Sequence, residues 1–77
     1  MQEKSEKMHF ENIYKKIKER RSLLGITQQD LADISRVGLR TIKEIETGRG
    51  NPSINTLAKI LDVLGMELDL KIKRTIE

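Results

Sequence analysis

Apolar positions along the chain fall into four helical stripes followed by one alternating run. From Asn12, Ile13, Ile17 and Leu24 share one face of a 3.6-residue helix that stops at Gly25. Thr27 followed three residues later by Asp30 is an acidic form of the capping box, and Leu31, Ala32 and Ile34 predict a short second helix over about 28–35. After Gly38, the residues Leu39, Ile42 and Ile45 set a third helix over about 39–47, ending before Gly48. Gly48, Gly50, Asn51 and Pro52 make a turn. Ser53 then caps a fourth helix whose apolar side reads Ile54, Leu57, Ala58, Leu61 and Leu64 up to Gly65. Beyond it the period falls to two: Met66, Leu68, Leu70 and Ile72 alternate with Glu67, Asp69, Lys71 and Lys73, the pattern of a β-strand.

Two charges interrupt this pattern. Arg21 lies on the apolar stripe of the first helix, four residues after Ile17, where a buried cation requires an acid. Glu46, four residues after Ile42 at the margin of the third helix, is its natural mate, so Arg21 and Glu46 are expected to form a structural ion pair. Residues 1–11 carry no period and are expected to be a flexible N-terminal segment. A folded domain is expected over 12–65, a strand over 66–73 and a short tail over 74–77.

Seventy-seven residues allow one small domain, and a domain of this size gains from a partner subunit. Cysteine is absent and His9 is the sole histidine, which removes disulfide and zinc scaffolds and leaves packing alone. Apolar runs stop at two residues, which excludes a membrane span and a signal peptide core; a cytoplasmic location is expected. No nucleophile, base and orienting group can be assembled around a lone His9, and the acids Asp30, Asp33, Glu44, Glu46 and Asp62 are scattered without ligand spacing. Neither an enzyme, a cofactor nor a metal site is therefore expected.

The net charge is only +3, but residues 13–24 hold five Lys or Arg against one Glu. Such clustering on a balanced chain is the footprint of a polyanion partner, although Lys15, Lys16 and Lys18 by themselves read as a solvated helix face. Two short helices separated by a three-residue turn form a helix-turn-helix, which presents the outer side of its second helix to a DNA major groove. That side carries Arg40, Lys43, Glu44 and Thr47, opposite Ile42 and Ile45. Arginine bonds guanine O6 and N7 bidentately, and glutamate accepts from cytosine N4. Leu39 can meet a thymine methyl or serve as partial core.

The segments TQQDLA, RTIKEIETG and GNPSINTL, with LGMELDLKIK behind them, resemble the phage-repressor/Cro-type (XRE-like) helix-turn-helix regulators over roughly residues 13–65. The resemblance implies an all-α, lambda-repressor-like bundle of four or five helices, here with one C-terminal β-strand, that binds double-stranded operator DNA as a two-fold homodimer. It implies that Gln28 contacts phosphate at the start of the second helix. It makes Leu39, Arg40, Lys43 and Glu44 face bases and nearby phosphates, while Thr27, Asn51 and Ser53 clamp the backbone. Gly38, Thr41, Thr47 and Arg49 complete the expected DNA-contact set, and Arg21 and Glu46 match the family's internal salt bridge.

Two positions depart from the family pattern. Arg36 stands where the turn usually has glycine, and at positive φ it would cost ~1–2 kcal/mol. Gly38 replaces a hydroxyl residue at the start of the third helix; as a cap it gives up a few tenths of a kcal/mol and leaves its N–H open to a phosphate.

Ending in a strand resembles the HipB-like antitoxin branch, whose members neutralise a kinase-like toxin and pair their strands across the dimer. The expected dimerisation residues are Met66, Glu67, Leu68, Asp69, Leu70, Lys71, Ile72 and Lys73. The expectation is therefore a homodimeric transcriptional repressor on a palindromic operator, associated with the nucleoid. One alternative is an antitoxin that autoregulates its operon, and another is a protein-interaction adaptor that uses the helix-turn-helix only as scaffold.

Overall fold

The computed structural model describes residues 10–73, so His9, most of the expected N-terminal segment and the 74–77 tail lie outside the described residues. Four helices follow in order: α1 (Phe10–Leu23), α2 (Gln28–Ser35), α3 (Leu39–Glu46) and α4 (Ile54–Val63). Helix α1 begins two residues before Asn12, so Phe10 and Glu11, expected in the flexible N-terminal segment, belong to the helix. It ends as its sequence dictates, because Gly25 takes φ 75° and lets the Ile26 N–H turn back to the Arg21 carbonyl at 3.3 Å.

The capping box closes in full at α2. Thr27 Oγ1 accepts from the Asp30 N–H at 2.9 Å, and Asp30 Oδ2 accepts from the Thr27 N–H at 2.9 Å. At its other end Arg36 adopts φ 64° and ψ 32°, the left-handed conformation, so the turn keeps its usual bend and the arginine bears the strain. Gly38 opens α3 without a side-chain cap. Ser53 Oγ accepts from the Thr56 N–H at 3.1 Å to open α4.

The core lies between the four helices. Tyr14 and Ile17 enter from α1, Leu31 and Ala32 from α2, Val37 from the turn, Ile42 and Ile45 from α3, and Leu57, Ile60, Leu61 and Leu64 from α4 and its C-cap. Several stripe positions fall outside it: Leu24, Ile34, Ile54 and Ala58 are exposed. Each helical step turns ~100°, so a face only three residues deep is decided by where its centre lies. On α2 the centre falls near Ser35, which is buried with its Oγ accepting from the Val37 N–H at 3.3 Å, and Ile34 is turned to solvent. On α4 the fully buried Ile60 takes the place expected of Ala58.

The expected C-terminal strand does not form: residues 66–73 carry no regular secondary structure, and no strand occurs among the described residues. A strand is a hydrogen-bonded pair, and no other segment of this chain has the period to supply the second member. Met66 packs against the core, whereas Leu70 and Ile72 are 95% and 96% exposed.

Candidate nucleic-acid interface

Helix α3 owes its orientation to a polar cluster at its base. Arg21 of α1 donates from Nε to Glu46 Oε2 at 2.7 Å and from Nη2 to Oε1 at 2.9 Å, a bidentate pair. Its remaining Nη1 donates to the Ile26 carbonyl at 2.8 Å, fixing the loop that leads into α2. Gln28 Nε2 donates to the same Glu46 Oε1 at 3.0 Å. One carboxylate therefore joins the end of α1, the start of α2 and the last turn of α3. Burial pushes the Glu46 carboxyl up, but hydrogen bonds from Arg21 and Gln28, with the charges of Arg21 and Lys18, outweigh it and hold the group below its ordinary value. The hydrogen bond to Glu46 in turn raises Arg21.

With Ile42 and Ile45 buried, the outer side of α3 follows from helical geometry. Leu39, Arg40, Lys43, Glu44, Thr47 and Arg49 line an open concavity of about 420 Å³. Arg40 is almost fully exposed, and its Nε lies 3.4 Å from Glu44 Oε2 one turn on, a surface pair worth only ~0.2–0.5 kcal/mol. That pair yields readily to a stronger bidentate partner. Leu39 is half-buried and packs on the core, while Thr41 is half-buried on the flank of the helix. Thr47 Oγ1 donates to the Glu44 carbonyl at 2.9 Å, tying down the end of α3.

The other expected contact residues stand at helix starts. Thr27 and Gln28 open α2, Gly38 opens α3, and Asn51 and Ser53 precede α4. Each start points backbone N–H groups outward, the arrangement that accepts an anion, although Gln28 also has its amide engaged on Glu46. Asn51 and Ser53 are exposed but take no part in lining the α3 concavity.

Three supporting residues escape sequence reading. Arg20 Nε donates to the Leu64 carbonyl at 2.8 Å, so α1 caps the C-terminus of α4. The only sequence signal is a basic residue in the last turn of α1, which does not name its acceptor. Tyr14 is buried and its hydroxyl reaches the Gly50 carbonyl at 3.4 Å. At Gly50 a Cβ would lie 3.0 Å from Ile45 Cγ1 and 3.2 Å from the Ile45 nitrogen, so this glycine serves a close backbone approach to α3.

The helix-turn-helix family profile matches residues 17–71 of the chain. An uncharacterized HTH-type transcriptional regulator of Haemophilus influenzae (strain ATCC 51907 / DSM 11121 / KW20 / Rd) is 42% identical over 50 residues, which is 65% of this chain and 51% of the relative. The chain thus spans about half the length of the curated relative it matches.

Proposed function

The chain belongs to the XRE-like helix-turn-helix family of DNA-binding transcriptional regulators, and we propose that it is a homodimeric repressor of a palindromic operator. The division of α3 carries this reading: Ile42 and Ile45 are each 1% exposed, while Arg40, Lys43, Glu44 and Thr47 face solvent on the opposite side. Arg40 reads guanine, Glu44 accepts from cytosine, and Leu39 meets a thymine methyl at the groove edge. Lys43 and Gln28 hold phosphates, with Thr27, Gly38, Thr41, Arg49, Asn51 and Ser53 distributed around them. Its place is with the chromosome, in the cytoplasm.

Residues Glu67–Lys73 supply the dimer contact in this reading. Leu68, Leu70 and Ile72 are exposed, and an unpaired segment of this composition seeks a second edge. Antiparallel pairing with its own copy about Leu70 sets Glu67 against Lys73, Leu68 against Ile72 and Asp69 against Lys71. Two recognition helices then stand one DNA turn apart, ~34–36 Å. The antitoxin alternative keeps this DNA site and dimer and adds a kinase-like toxin; relief of a co-expressed neighbour's toxicity distinguishes it.

Selection of bound duplexes from random DNA tests the proposal. Recovery of inverted half-sites one turn apart is the expected result. Recovery of no preferred sequence, with no region protected from cleavage, would assign the fold to an adaptor.

A further inference from the structure

Helix α1 carries a basic flank that the helix-turn-helix does not use. Lys15 and Lys18 stand at i and i+3 and border a concavity shared with the end of α3, whereas Lys16, ~100° further round the helix from Lys15, lines none of the three concavities around them. A concavity of about 420 Å³ runs between the two helices, lined by Tyr14, Lys15, Lys18, Glu46, Thr47 and Gly48. Thr47 also lines the concavity on the outer side of α3, and Lys15 and Lys18 also line a third, of about 630 Å³, along α1. Thr47 thus borders the first two concavities, and Lys15 and Lys18 border the second and third, so the three lie side by side from Arg40 past the end of α3 to α1. Of the acids that line them beside the lysines, Glu46 is already bound by Arg21, and Glu19 forms no ion pair with Lys15 or Lys18, so among the described residues neither lysine is held in an ion pair. Lys18 and Glu46 line the same concavity.

We propose that the DNA-binding surface continues from α3 onto α1, where Lys15 and Lys18 hold backbone phosphates of the same duplex, flanking the half-site that α3 reads. This rests on the DNA-binding reading above. A duplex lying along α3 presents a row of phosphates beside its groove, and lysines bordering the end of α3 match such a row in charge. These contacts carry no base information; they fix register and add to the salt dependence of binding.

The test is a salt titration of affinity for the duplex recovered by selection and for a random duplex. It compares the full chain with Lys15→Gln/Lys18→Gln, Lys15→Arg/Lys18→Arg and Lys16→Gln, each checked for an unchanged melting curve. Each phosphate contact contributes ~0.9 to the slope of log K against log salt, so the double glutamine variant should lose about two units on both duplexes. The arginine variant should retain the slope, Lys16→Gln should leave it unchanged, and phosphate ethylation should lose its flanking interference in the double glutamine variant alone. An unaltered slope in the double glutamine variant overturns the proposal. So does a loss in Lys16→Gln equal to the per-residue loss in the double variant, since net charge alone would then be responsible. Failure of the unaltered chain to bind either duplex overturns the DNA reading itself, a result distinct from both.

Discussion

Single residues carry both the strain and the strongest polar contact of this fold. Arg36 sits at φ 64° and is exposed, so its conformational cost is offset by no packing. Arg36→Gly should therefore raise stability by about 0.5–1 kcal/mol, read as a higher melting temperature, the relief of the left-handed strain exceeding glycine's added chain entropy. Arg21→Ala should act in the opposite direction. It leaves a Glu46 side chain only 2% exposed without its cation, at a cost of roughly 3 kcal/mol by urea denaturation. The same pair sets an acid limit. Glu46 is lower in the folded protein than its ordinary 4.5, so its contribution is complete above that value and is lost as pH falls through the folded one. Stability followed by circular dichroism should decline below about pH 4.5, and Glu46→Gln should lose this component of the decline. The ion pair was legible because a charge on an apolar stripe demands a partner and the chain offers one acid at a matching margin. The bond from Gln28 to Glu46 was not legible, since an amide at a helix start has equally good partners in solvent, backbone and phosphate.

Helix boundaries and caps follow from local chemistry, and the choice of core face does not. Thr27 with Asp30, Ser53, and the glycines at 25, 48 and 65 mark their ends by hydrogen-bond capacity or positive φ, properties of a few adjacent residues. Whether Ile34 or Ser35 faces inward depends on how α2 meets α3 and α4, which a helix of 8 residues does not encode by period alone. The strand failed for a related reason: alternation describes a segment able to pair, while the ladder needs a partner. Gly50→Ala should show how tightly the elements are fitted. Its methyl would press on the backbone of Ile45, which cannot move away as a flexible side chain could, and a loss of ~1–3 kcal/mol in chemical denaturation is expected. No loss would mean that the loop after α3 is readily displaced.

At the scale of the whole molecule, stability and recognition use different parts of the same helices. The buried sides of α1 and α3 hold the bundle, and their outer sides remain available to a polyanion. The proposed dimer adds the tail: Leu70→Pro, or truncation after Gly65, should give monomers by sedimentation that retain helical circular dichroism and bind the operator far more weakly. A truncated chain that still sediments as a dimer would move the interface to another surface, such as the exposed apolar Ile54 and Ala58 of α4. The central claim, that the outer face of α3 reads bases, is tested most directly by measuring the affinity of the unaltered chain and of Arg40→Ala for every single-base-pair variant of the selected operator. The account predicts that Arg40→Ala reduces discrimination at one or two base pairs by ~1–3 kcal/mol with little change in melting temperature. Equal weakening on all sequences, or discrimination intact at every position, would contradict it.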